Sequence, residues 1–216
     1  MKESDHELRM RDLYLEVAAI AAELVADPSV GDHWEDQSVL AHLGVGGLAG
    51  HLARSILQVE WYLDGQVADA PPMTASEYYA SLVGVTDPNS ELNEGVRQRG
   101  EETASEGPAD LAERTAGALA GLNTRLPAEP GGRRVEAVGR VLLLDEYLKT
   151  RLVEMTVHTD DLALSVGLRP PEVPADAYGV AIETLVGVAT LRHGPLAVLR
   201  ALTRRERQDT EILRVL

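Results

Sequence analysis

Glu154, His158 and Asp161 follow one another at spacings of four and three residues in the run Tyr147-Leu-Lys-Thr-Arg-Leu-Val-Glu-Met-Thr-Val-His-Thr-Asp-Asp-Leu. At about 100° per residue they share one helical face with Tyr147, Arg151 and Ser165. Leu148, Leu152, Met155 and Leu162 flank this stripe on one side, and Val153, Val157 and Leu164 on the other. It therefore reads as a polar seam inside a core helix rather than as a solvent face. Carboxylate and imidazole groups buried side by side are costly unless something binds them, and a divalent metal binds both. Catalytic zinc sites use three protein groups and leave one position open for water or substrate. Glu154 and His158, one turn apart, supply two of these, and His51 on a second apolar stretch completes a His2Glu set. Asp161, one turn beyond His158, either orients that ring from outside the donor set or pairs with Arg151. The bland alternative is an ion-pair seam, Arg151 with Glu154 and Asp161, around a hydrogen-bonded core histidine. His42 is a weaker ligand candidate, and His33 and His193 read as loop or cap residues.

Helices must position these groups. Residues 7–26 carry apolar residues at helical spacing until Asp27-Pro28 stops the run. Ser38 is placed to cap a short turn through Leu43. A second helix spans Val45 to Leu63, with Leu48, Leu52, Ile56 and Val59 on one stripe and His51 at its edge. Gly44, Gly46, Gly47 and Gly50 remove bulk around His51, so a ligand or a neighbouring backbone can approach. Pro71-Pro72 forces an extended crossover, with a short helix near Ser76 to Leu82. Helical pattern resumes after Asp87-Pro88-Asn89-Ser90 and runs to Arg125 with a break at Gly107-Pro108. Arg134 to Arg140 alternates weakly, as a short strand would, and the strongest helix covers Leu142 to Val166. Two further helices, about 177–192 and 195–205, finish the chain. The expectation is an all-α fold: a four-helix bundle over residues 1–168 with a long crossover between its second and third helices, and a helical C-terminal extension, 169–216, packed on it. Such bundles build metal sites from side chains on facing helices.

Composition narrows the function. The formal charge of −15 argues against a nucleic-acid partner, whose phosphates demand clustered Lys and Arg. The one dense basic patch, Arg204-Arg205-Glu206-Arg207, reads as complementing a helix C-terminus. No apolar run approaches the ~18 residues of a membrane span, and the N-terminus is too charged on both signs for a secretory signal, so a cytoplasmic protein is expected. Cysteine is absent, which rules out disulfides, thiolate ligands and a cysteine nucleophile. Gly44-Val-Gly-Gly-Leu-Ala matches the G-x-G-x-x-A turn of dinucleotide sites, yet the alternating strands and helices that give that motif meaning are missing.

The segment Val45-Gly-Gly-Leu-Ala-Gly-His-Leu-Ala-Arg-Ser, taken with Leu144-Asp-Glu-Tyr-Leu-Lys-Thr-Arg-Leu-Val-Glu-Met-Thr-Val-His-Thr-Asp-Asp-Leu, resembles the mycothiol-dependent maleylpyruvate isomerase group of the DinB-like superfamily. The resemblance covers roughly residues 8–166. It implies a DinB-like bundle with a His, Glu, His metal triad that maps onto His51, Glu154 and His158. It implies a divalent metal, usually Zn2+, that binds mycothiol or a related thiol cosubstrate, and an electrophilic small molecule as the second substrate. The isomerases carry a further C-terminal domain where this sequence has only residues 169–216, which favours an S-transferase. Arg54 and Arg151 are candidates for binding a carboxylate on either substrate through charge-assisted hydrogen bonds. Two other functions fit the same residues: a non-catalytic metal- or ligand-binding bundle, and a metal-dependent hydrolase of a small ester or amide. Long apolar helices leave a homodimer open.

Overall fold

A computed structural model of the chain describes residues 3–203 and 210–216, and side chains from 9–203 and 211–216. The Arg204–Arg207 patch lies outside the described residues. In chain order the elements are α1 (Glu3–Val25), α2 (Pro28–Asp32), α3 (Val45–Asp64), α4 (Ala75–Ala80), α5 (Glu91–Ala104), α6 (Pro108–Arg125), β1 (Arg134–Ala137), β2 (Arg140–Leu143), α7 (Leu144–Ser165), α8 (Ala175–His193) and α9 (Pro195–Thr203). No helix among the described residues is long and apolar enough to cross a membrane.

Four helical rods make the bundle. α1 and α3 pack on α7, and α5 with α6, a single rod broken at Gly107-Pro108, closes the other side against α3 and α1. The break is where the sequence puts it: Pro108 opens α6 and Gly107 adopts a φ of 92°, a conformation that glycine takes without steric cost. Leu48, Leu52, Ile56, Leu111, Leu122, Leu148 and Leu152 are fully buried between the rods. Arg11, although charged, is buried with them. Its guanidinium donates to the carbonyls of Leu126 and Glu129 at the end of α6 and to Asp145 of α7, so one side chain ties three rods together.

Residues 65–90 form the crossover between the second and third rods. Pro71-Pro72 is extended, and α4 sits within it, closed by a capping box in which Thr74 and Glu77 satisfy each other's backbone groups. Ala75 N–H donates to Glu146 of α7 and the Ser76 hydroxyl donates to the Thr184 carbonyl of α8, so this six-residue helix is pinned from two sides. α8 packs on α7 and α4, and α9 on α8.

Two expectations need correction. The segment before α7 is a two-stranded antiparallel hairpin, in which β2 takes Leu142 and Leu143 and α7 begins only at Leu144. Val138 and Gly139 both have positive φ, 52° and 70°, which makes the two-residue turn a hairpin requires. A β-branched residue seldom adopts that conformation, so the turn carries no sequence signal. Second, Val157 and Leu164 are not core: they are 40% and 51% exposed. Val157 lines a cavity instead.

Candidate metal centre

α3 and α7 run antiparallel, so His51, Arg54, Gln58 and Tyr62 ascend one wall as His158, Glu154, Arg151 and Tyr147 descend the other. The spacing of three, four and four residues on each helix keeps these side chains on one face. The glycines of α3 set how closely the third rod approaches. A Cβ on Gly50 would overlap the carbonyl oxygen of Gly100 in α5, and a Cβ on Gly100 would lie 2.6 Å from the carbonyl oxygen of Gly47. Of the two possibilities the glycines left open, a neighbouring backbone is the one realised.

His51, Glu154 and His158 converge at one end of this seam. Glu154 Oε2 lies 3.1 Å from His51 Nε2 and 3.5 Å from His158 Nε2, and the three donor atoms all fall within 4.8 Å of one another. Ligand atoms about 2.1 Å from a tetrahedral zinc stand about 3.4 Å apart, so these groups fit a small divalent cation with little movement. His158 and Glu154 are held from behind. Asp161 Oδ2 lies 3.0 Å from His158 Nδ1, which leaves Nε2 of that ring for the centre. The Tyr79 hydroxyl stands 2.7 Å from Glu154 Oε1 and 2.9 Å from the Thr150 carbonyl. The two imidazoles meet edge to face with ring centroids 4.7 Å apart.

Electrostatics follow from burial and these contacts. Burial works to raise the Glu154 carboxyl, but hydrogen bonds from His158 and His51, with Arg151 nearby, prevail and hold it well below the ordinary carboxylate range. Burial likewise pulls His158 down, and the hydrogen bonds to Asp161 and Glu154 overcome it, carrying the ring up to about 9. His51 goes the other way, lowered chiefly by burial. Without metal the centre is thus a carboxylate between one charged and one neutral imidazole. An ionised carboxylate only accepts, so Nε2 of both rings carries a proton that a cation must displace.

The triad opens on a cavity of about 1000 Å3 lined by parts of α3, α4, α5, α7 and the β-hairpin. Arg54 and Arg151 both line it. Arg151 is buried, with its Nε donating to the Thr150 hydroxyl, its Nη1 donating to Gln58 Oε1 and its guanidinium 5.1 Å from the Tyr147 ring centre. Among the described residues neither Glu154 nor Asp161 forms an ion pair with it; both pair with His158 instead. Arg54 donates to the Thr103 hydroxyl and lies over Trp61.

His42 is exposed in a left-handed turn, apart from the triad. The His33 ring contacts the Ser29 carbonyl at the end of α2, and His193 closes α8, as loop and cap readings require. Ser38 caps the turn through Leu43 as expected: its hydroxyl accepts from Leu40 N–H and donates to the Leu43 carbonyl. Tyr79 and Arg99 escaped the sequence reading. Tyr79 sits in a short helix 75 residues from Glu154, where no periodicity links them.

Residues 10–163 match the family described as the mycothiol maleylpyruvate isomerase N-terminal domain, which takes in all four rods of the bundle and every residue of the triad. No curated protein and no solved structure matches the chain. The chain belongs to that mycothiol-related family, and its helical bundle agrees with the DinB-like fold.

Proposed function

We propose that this member of the mycothiol maleylpyruvate isomerase N-terminal domain family is a metal- and thiol-dependent enzyme, an S-transferase or isomerase, with mycothiol or a related small thiol as cosubstrate. The observation that carries this reading is the convergence of His51 Nε2, Glu154 Oε2 and His158 Nε2 on one point at the wall of a large cavity. Two imidazoles and a carboxylate with an open position are a donor set that catalytic Zn2+ takes. The bound ion would supply the means to deprotonate a coordinated thiol near neutral pH, which a chain without cysteine must obtain from outside.

The protein's own groups do the rest. Asp161 fixes the tautomer and ring plane of His158, and Tyr79 holds one oxygen of Glu154 so that the other faces the two rings. Burial keeps the Tyr79 hydroxyl protonated, its ionisation pushed well above the ordinary phenol range. Arg54 and Arg151 stand on the same walls to bind and orient the second, electrophilic substrate. Asp161 is engaged with His158 outside the donor group, which among the described residues has three members. That arrangement favours a centre with an open position over one closed by a fourth protein group, and so favours turnover over a purely structural ion.

The test is thiol transfer by the zinc-loaded protein to a chromogenic electrophile such as 1-chloro-2,4-dinitrobenzene, with and without mycothiol. Conjugate formation that needs both the thiol and the metal, and is lost in His51→Ala, is the expected result. Ester hydrolysis that proceeds without any thiol would replace this reading with that of a metal-dependent hydrolase.

A further inference from the structure

Four arginines line the cavity: Arg97, which donates to the Pro88 carbonyl, and Arg54, Arg99 and Arg151, and among the described residues none of them has a carboxylate within ion-pairing distance. Such an arrangement is unusual in a chain of net charge −15, where carboxylates are plentiful. Arg54 is depressed first by burial and next by the charges of Arg99 and Arg151, so the three repel one another. Of the donors on the Arg151 guanidinium only Nε and Nη1 have protein partners, the Thr150 hydroxyl and Gln58 Oε1. The Tyr147 ring beneath it lines the same cavity, while the Tyr147 hydroxyl is buried away from solvent with no hydrogen-bond partner among the described residues. A buried hydroxyl without a partner forfeits about 1–3 kcal/mol, and an unpaired buried guanidinium costs more. An anionic oxygen bound at the open N–H groups of Arg151 offsets the second of these costs.

We infer that Arg54 and Arg151, with Arg99 at the α5 wall, form an anion subsite for a carboxylate-bearing ligand that also reaches the His51–Glu154–His158 centre. Helical rise sets the ligand's length. Arg151 precedes Glu154 by three residues and Gln58 follows His51 by seven, which at 1.5 Å per residue places the anionic group roughly 5–10 Å from the triad. Arg151 presents its free edge as a planar fork that matches a carboxylate, and Gln58, its Oε1 committed to Arg151, keeps its amide hydrogens to donate. The length argument rests on the metal- and thiol-dependent reading above, whereas the anion subsite stands without it.

Calorimetric titration of the zinc-loaded protein with 6-mercaptohexanoate and with 6-mercaptohexan-1-ol tests both parts. Expected is a roughly tenfold preference for the carboxylate, reduced to near unity in Arg151→Met and in Arg54→Met, with affinity for the alcohol unchanged. Arg54 is only half-buried, so its variant reports even where Arg151→Met perturbs folding. Equal affinity for the two long thiols, or a preference that survives both substitutions, overturns the proposal. Should neither thiol engage the centre, the metal reading fails by itself. Hexanoate against 1-hexanol on the metal-free protein then decides: a preference lost in both variants upholds the subsite, and no preference overturns it.

Discussion

At the scale of single residues, the centre works through the groups behind the donors. Asp161 both orients His158 and, with Glu154, raises its basicity. Asp161→Asn keeps the shape and removes the charge, and losses of such outer partners typically weaken metal binding 10–100-fold. We expect that range for zinc affinity measured by chelator competition, with a smaller loss for Tyr79→Phe. The protonation of His158 gives a second prediction. In the metal-free protein its ring titrates at about 9 against an ordinary 6.5, so the stabilisation from its protonated form is fully present below about pH 6.5 and is lost as pH rises through about 9. The thermal midpoint of the metal-free protein should therefore fall across that window, while zinc affinity rises about tenfold per pH unit because each zinc bound releases one proton from His158. A flat zinc affinity between pH 6.5 and 8.5 would contradict this assignment of protons. The triad itself was legible because its members repeat at helical spacing on α7 and on the glycine-flanked face of α3. Tyr79 was not, since only the folded crossover brings it to Glu154.

At the scale of elements, the packing of α3 against α5 fixes where His51 stands. Gly50 and Gly100 let the two backbones touch, and overpacking a tight interface commonly costs 1–3 kcal/mol. Gly50→Ala should lower stability by about that amount, read from the urea midpoint, and should weaken zinc binding because His51 is the next residue. The α5–α6 break, the prolyl crossover and the extent of α3 could be read from Gly107-Pro108, Pro71-Pro72 and Gly65, whose backbone constraints are local. The β-hairpin was read only as a weak strand, because Val138-Gly139 lacks the Asn or Asp that marks such a turn. Val157 and Leu164 were misplaced for a different reason. Periodicity reports that a residue is apolar and on a given face, and a cavity wall has the same signature as a core.

Across the whole molecule, the chain is strongly acidic while arginines with no ion-pair partner among the described residues line the cavity, and the metal triad sits on the same walls. Composition showed the first of these facts and could not show the second, because Arg54, Arg99 and Arg151 come from three rods that only the bundle assembles. The central claim is that His51, Glu154 and His158 hold one divalent ion. Elemental analysis of the protein, purified without a metal-binding tag and reconstituted with zinc, tests it beside His51→Ala and His158→Ala. Close to one equivalent in the parent, lost in both variants, is the predicted result. Zinc retained by both variants, or none bound by the parent, would contradict it.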